Sequence, residues 1–446
     1  MSSILIHNAR ILTLAEGSTP RRGAMARNLS VIDRGYIWAD GERLTCGHGD
    51  PPADATAPTE IRCAPTDLGS PPTHTIIDAQ GRIVMPAFVD AHTHACWAGD
   101  RLDEWDMKRR GVSYLDILNA GGGIMSTVRA VREASLDELT RSLGERLRRM
   151  RHEGTTTCEV KSGYGLNTDT ELKMLAAIRE AQRDGATHIV PTALIGHAID
   201  PTRSDFVDYT IDDTLPAVSE AFSGITIDAY CENGAWTVDC CRRLFEKAIL
   251  LGHPFRVHAD QFNALGMTPL AVEMGARSVD HLEASTVADL TTLAESDTFG
   301  VMIPATGFHL DDRYANGRLF LDMGGALVIA SNDNPGSAPC SSMPFVISLA
   351  VRKLGLTIEE AITACTINAA ALLGPLDTDP RGHTNTPGFL HSGPSDSIGH
   401  RFIMLRHTDE RLLAYEFGGD PVELIVSDGR ILKWTGDDAM RTIIHP

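Results

Sequence analysis

The chain has 446 residues, 43% hydrophobic and 22% charged, a composition that can bury a large core and argues against disorder. Its formal net charge of −19 excludes a protein that wraps nucleic acid or docks on an anionic membrane surface. Nine scattered cysteines without a CxxC pair predict free thiols in a reducing cytoplasm, and no apolar stretch reaches the length of a membrane span.

The opening Met1-Ser-Ser-Ile-Leu-Ile runs into a strand-like segment, not a secretory apolar region. Residues 4–15 predict two short strands with Asn8-Ala9-Arg10 at the turn, and 29–39 a further strand. Residues 46–75 are rich in Pro, Gly, Ala and Thr and read as an irregular surface insertion. The apolar run 83–89 then predicts a buried strand, followed by His92-Thr93-His94. Residues two apart on a strand point the same way, so both imidazoles can aim at one point, the beginning of a metal site.

Further apolar runs recur at 155–160, 188–196, 225–231, 254–258, 278–282, 299–304 and 326–330. Helical patterns lie between them. One spans 171–183, with Leu172, Leu175 and Ile178 on one face, Asp169 near its start and Gly185 at its end. Another spans 238–251, with Val238, Cys241, Phe245 and Ala248 in step. Eight strands alternating with helices predict an α/β fold, a (β/α)8 TIM-like barrel. No GxGxxG follows a strand, which weakens the dinucleotide-binding alternative. The run Gly121–Gly123 predicts a tight turn before a helix. Helices at 343–353 and 357–373 close the barrel, 377–399 is again irregular, and strands return at 401–405, 423–426 and 431–434. Both chain ends therefore predict one small β-sandwich domain. The expected division is a composite β domain from 1–82 with 377–446, and a hydrolase barrel from 83–376.

Active sites of such barrels lie at the C-terminal ends of the strands. The polar residues there are His92 and His94 after strand one, Lys161 after strand two and His197 after strand three. Strand five gives His258, Asp260 and Gln261, strand six His281 and Glu283, and strand eight Asn332 and Asp333. Four strands end in His although His is 17 of 446 residues, so the pattern predicts a metal site, not four structural histidines.

Seven stretches carry a resemblance, several of them specific to one family: DAHTH with GDRLDEW (90–105), GVSYLDILNAGGGI (111–124), EVKSGYGLNTDTELKML (159–175), Gly196-His197, FRVHADQ (255–261), SVDHLE (278–283) and NPGSAP (334–339). On these the chain resembles the amidohydrolase superfamily and, within it, the imidazolonepropionase family. The resemblance implies one divalent metal, zinc first and iron as the alternative, held by His92, His94, His258 and the residue at Asn332. Strand four ends Ala229-Tyr230-Cys231-Glu232, without the bridging Lys of binuclear members. That favours a mononuclear site, with Lys161 structural or supporting the ligands from behind.

The implied activity is opening of 4-imidazolone-5-propanoate to N-formimino-L-glutamate in histidine degradation. A bound metal lowers the pKa of its water from ~15.7 towards ~7, and the hydroxide attacks a ring carbon of the cyclic amide. His281 suits polarising the carbonyl. Arg101 matches the propionate carboxylate bidentately. The family pattern places Tyr164, His197, Gln261, Asn334, Gly336 and Ser337 around the substrate. It also implies a small anionic imidazolone-type ligand, a homodimer and a cytoplasmic location.

One position departs from the pattern. The family's metal-linked Asp is Asn332 here, which offers a carbonyl oxygen but cannot accept a proton. Neighbours on a strand point oppositely, so Asp333 needs a bulge to replace it. Three readings compete. The chain is an imidazolonepropionase with Asp333 re-aimed or His281 carrying the proton. Or it removes hydrosulfide from 3-(5-oxo-2-thioxoimidazolidin-4-yl)propionate in ergothioneine breakdown, a leaving group that needs no prior protonation. Or it is a non-catalytic binder, against which His92, His94, His258, His281 and Arg101 together argue.

Overall fold

The structure is a computed structural model that describes residues 3–40, 43–56, 74–112, 122–374, 376–378, 384–385 and 401–444. Most of the expected insertion at 46–75, the central part of the 111–124 segment and most of 377–399 lie outside the described residues.

The first five strands are β1 (Ser3–Leu12), β2 (Val31–Asp40), β3 (Arg43–His48), β4 (His74–Asp78) and β5 (Ile83–Pro86). The expected pair of strands at 4–15 is one strand. Asn8 adopts a left-handed φ of 53° within an irregularity of the β1–β2 register, so it makes a bulge, not a turn. Eight barrel strands follow: β6 (Phe88–Asp90), β7 (Thr155–Lys161), β8 (His188–Gly196), β9 (Thr226–Cys231), β10 (Phe255–Ala259), β11 (Ser278–His281), β12 (Phe299–Met302) and β13 (Leu327–Ile329), parallel and in chain order. A short ribbon pairs β14 (Leu376–Thr378) with β15 (Thr384–Asn385). The chain ends in β16 (Phe402–Leu405), β17 (Val422–Ser427), β18 (Arg430–Trp434) and β19 (Arg441–Ile444).

The strands of both chain ends assemble into one nine-stranded sheet in the order β18-β17-β16-β5-β1-β2-β3, with β4 branching from β1 to pair with β19. A core of its own, including Ile4, Ile6, Ile37, Ile77, Phe402 and Leu424, lies within it. The apolar run 83–89 therefore serves two sheets. β5 pairs with β1 and β16, whereas β6 pairs with β7. The division falls at Ala87, whose N–H bonds Arg401 O at 3.2 Å, while that of Phe88 bonds Gly154 O at 3.0 Å.

The helix expected over 357–373 is two helices, Ile358–Ala364 and Ile367–Leu373. At the break the Cys365 carbonyl accepts from Val89 N at 2.9 Å, a bond to the barrel that helps to interrupt the helical ladder.

Along the central strands, alternation divides side chains between two surroundings. Cys158, Val160, Ile227, Ala229, Val257 and Val279 join the apolar layer beneath the helices. Their neighbours Glu159, Lys161, Asp228, Arg256 and Asp280 are buried without joining that layer. On β6, β12 and β13 the corresponding positions are Val89, Val301 and Val328, which cluster with Ala369 and Leu373 of the helix Ile367–Leu373. The barrel interior is thus apolar on one side and charged on the other.

Closure between the first and last barrel strands occurs just past their ends. Asn332 N bonds His92 O at 3.0 Å and His94 N bonds Asp333 O at 3.1 Å. The buried Asp90 carboxylate accepts from the backbone N–H of Ser331 at 3.1 Å and from its hydroxyl. Ser331→Ala is expected to cost about 1–3 kcal/mol, because a buried acceptor loses its donor. Urea unfolding of the variant measures this; an unchanged midpoint would contradict the closure described.

Candidate active site

His92 and His94 lie beyond the end of β6 in irregular backbone, and His258 lies on β10. Their ligating nitrogens all fall within 4.8 Å of one another. His94 Nε2 stands 3.2 Å from His92 Nε2 and 3.2 Å from His258 Nε2. Burial first, then neighbouring cations and imidazoles, holds all three rings well below the usual histidine range, so they are neutral and suited to bind a cation.

A buried ionic lattice fixes two of these rings. His92 Nδ1 donates to Asp280 at 2.6 Å and His258 Nδ1 to Asp228 at 3.1 Å. Lys161 Nζ donates to Asp228 at 2.8 Å and to Glu159 at 2.9 Å. Arg256 joins Glu159, at 2.8 Å, to Asp280. Burial opposes the Arg256 charge, and Asp280, Glu159 and Asp228 outweigh it. With neutral imidazoles, three carboxylates against two cations leave one negative charge beneath the triad. Nδ1–H tautomers on His92 and His258 leave Nε2 lone pairs converging on one point. His94 is held differently: its Nδ1 has no hydrogen-bond partner, and the ring stacks on His197 at 5.0 Å and 27°.

His281 adjoins the triad without belonging to it, its ring 5.7 Å from that of His92 and 5.5 Å from that of His258. Its Nδ1 lies 3.3 Å from Glu283 Oε1. Asn332 adopts a left-handed φ of 59°, so simple strand alternation does not govern it or Asp333. Its Nδ2 donates to Thr306 Oγ1 at 2.9 Å, and its Oδ1 is buried without a partner. Asp333 is not among the groups gathered with the triad. Burial pushes its carboxyl up to about 6, partly offset by Arg146 and Arg149.

The remaining expected residues divide into two groups. Tyr164 packs 5.1 Å from His197 and 6.1 Å from His94, and burial holds His197 down at about 4. Gln261 lines a small recess shared with Glu283 and Thr306. Arg101 pairs with Glu104, which also binds Lys108, and lines a cleft of about 310 Å³ with Trp97, Trp105 and Gly336. A methyl group added at Gly336 would stand 3.2 Å from the Arg101 guanidinium. The Asn334 side chain is turned into its own loop: Oδ1 accepts from Gly336 N and Ser337 N, both at 2.8 Å, and Nδ2 donates to Ser337 Oγ at 2.9 Å. It therefore shapes that loop instead of presenting free polar atoms.

The sequence reading missed Glu159, Asp228, Arg256, Asp280 and Thr306. Four of these five carry a readable signal, a charge at an alternate position inside an otherwise apolar barrel strand. The three imidazoles fit a divalent ion: their lone pairs converge and a net negative charge lies behind them.

No protein-family model matches the chain. The imidazolonepropionase of Herpetosiphon aurantiacus is 42% identical over 369 residues, 80% of this chain and 84% of the relative. That of Deinococcus radiodurans is 42% identical over 403 residues, 90% and 93% of the two chains. That of Rubrobacter xylanophilus is 36% identical over 434 residues, 97% and 99%. Among solved structures, 5-methylcytosine deaminase from Klebsiella pneumoniae liganded with 5-fluorocytosine superposes with a TM-score of 0.68 at 14% identity, covering 97% of this chain and 98% of that one. An amidohydrolase from an environmental sample of Sargasso sea gives 0.63 at 17%, covering 97% and 93%. Likeness at such identity speaks to the fold alone.

Asp280→Asn exchanges the anionic acceptor of His92 Nδ1 for an amide. It is expected to weaken zinc binding by about 10–100-fold, measured by competition with a chromophoric chelator. Unchanged affinity would contradict the role given to the lattice.

Proposed function

The chain belongs to the imidazolonepropionase family of the amidohydrolase superfamily, and from that membership we infer that it hydrolyses the cyclic amide of 4-imidazolone-5-propanoate to N-formimino-L-glutamate. The observation that carries the reading is the convergence of His92, His94 and His258 at the mouth of the barrel. We propose zinc as the ion, held by the three Nε2 atoms with Asn332 Oδ1 as the oxygen donor. When bound, the ion supplies Lewis acidity.

The chain's own residues account for the rest. Arg101 takes the propionate carboxylate, its guanidinium held by Glu104, which also binds Lys108. Tyr164, His197 and Gln261 border the ring, and Gly336 and Ser337 line the approach from Arg101. Water attacks the ring carbonyl carbon. One proton passes to His281, whose imidazolium then stabilises the oxyanion. The carbon–nitrogen bond breaks as that proton passes to the departing ring nitrogen. Asn332 takes no part in proton transfer, and Asp333 stands outside the triad. We further propose a homodimer located in the cytoplasm, with the β domain at 1–82 and 377–446 distinct from the barrel at 83–376. Among the described residues, no helix is long and apolar enough to cross a membrane.

Asn332 also favours a second reading, hydrolytic loss of hydrosulfide from the saturated 2-thioxo relative of the same ring. A paired assay separates the two. Zinc-loaded protein is given each compound, following loss of ring absorbance and release of sulfide. Turnover of 4-imidazolone-5-propanoate is expected, and sulfide release from the thioxo compound alone would overturn the primary reading. Arg101→Met is expected to raise KM about 10–100-fold with kcat little changed, the loss of a charged hydrogen-bonding contact. A fall in kcat at constant KM would remove Arg101 from substrate binding.

A further inference from the structure

Neighbouring residues on a strand point to opposite sides, yet Asp280 and His281 both reach the same site. Asp280 bonds His92 Nδ1, and the His281 ring stands 5.7 Å from the His92 ring. The backbone achieves this with two consecutive left-handed residues, His281 at φ 92° and Leu282 at φ 70°. Such conformations are strained for residues that carry a side chain. The turn is held by Leu282 N on Ala259 O at 3.3 Å, by Ala284 N on Asp260 O at 2.7 Å and by the buried Leu282 side chain. It also brings Glu283 against His281.

The carboxylates around the triad can be assigned in turn. Asp228 and Asp280 are committed to metal-binding imidazoles and to Lys161 and Arg256. Asp90 is committed to Ser331; Asp260 accepts from Thr268 and Ser285 through Oδ2, each at 2.7 Å, with its Oδ1 unpartnered and no histidine bonded to it; and Asp333 stands outside the groups gathered at the triad. Gln261 and Asn332 are neutral amides. Glu283 remains. Its Oε1 meets His281 Nδ1 at 3.3 Å, and its Oε2 is buried without a partner.

We propose that Glu283 is the positioning residue of the reaction. Its carboxylate accepts the Nδ1–H of His281, fixes the imidazole in that tautomer and leaves the Nε2 lone pair for the reacting water. The strained turn at 281–282 exists to bring this pair beside the triad. Through it the site keeps a carboxylate-oriented proton carrier although Asn332 cannot be one.

The proposal rests on the hydrolytic reading above, so its test has one arm with substrate and one without. In the first, Glu283→Gln is compared with the parent protein, both zinc-loaded, on 4-imidazolone-5-propanoate. A fall in kcat of about 10²-fold, with KM and bound zinc unchanged, is expected. Glu283→Asp, which keeps the charge at shorter reach, is expected to recover part of the loss. A kcat for Glu283→Gln within about threefold of the parent, or a loss that tracks lost zinc, would overturn the proposal. In the second arm, nitrogen-15 histidine spectra of the zinc-loaded parent report the tautomer of His281, assigned by its disappearance in His281→Asn. The Nδ1–H form supports the proposal and the Nε2–H form overturns it, whether or not the parent turns over this substrate. A parent inactive on the substrate would defeat the hydrolytic reading instead.

Discussion

Everything at this site depends on keeping five charges out of water beneath three imidazoles. Glu159, Lys161, Asp228, Arg256 and Asp280 are all buried, a placement whose desolvation cost is recovered only when every member is paired. They come from β7, β9, β10 and β11, so four strands must hold their register for the lattice to form. Removing one partner of such an arrangement typically costs about 3–5 kcal/mol, which makes the lattice an all-or-nothing check on barrel geometry. The same contacts fix the His92 and His258 rings. Folding and construction of the metal site are therefore the work of one set of bonds.

The lattice also bears on charge. In the proposed ligand set, three neutral imidazoles and the Asn332 amide would bring no anion into direct contact with a divalent ion. The compensating negative charge is one bond further out, on Asp228 and Asp280. An amide at position 332 is thus compatible with holding the ion in that set but cannot carry a proton. That asymmetry draws attention to His281 and Glu283, which the left-handed turn sets beside the triad but outside it.

Much of this was legible in the sequence. The strand and helix alternation gave the barrel, and the imidazoles stood out because they follow apolar runs at the expected edge. What was not legible had physical causes. The run 83–89 is uniformly apolar, and nothing in its pattern divides it between two sheets; Pro86, which has no N–H to offer a ladder, was the one hint. Asn334 reads as a ligand-binding residue until its carbonyl is seen capping its own loop. Glu159, Asp228, Arg256 and Asp280 read as ordinary strand charges, because pairing across four strands is a tertiary property. Left-handed backbone at His281, Leu282 and Asn332 is marked in the sequence only weakly, by the tolerance of Asn and His for that region, and it defeats the strand-alternation rule used to orient Asp333.

The most direct measurement of the central claim is a crystal structure of the zinc-loaded protein, with anomalous scattering collected on both sides of the zinc edge. The account predicts one zinc per chain, ligated by Nε2 of His92, His94 and His258, with the Nδ1 atoms of His92 and His258 still on Asp280 and Asp228. Two zinc peaks in the barrel, or an ion bound through Asp333 with His94 turned away, would contradict it.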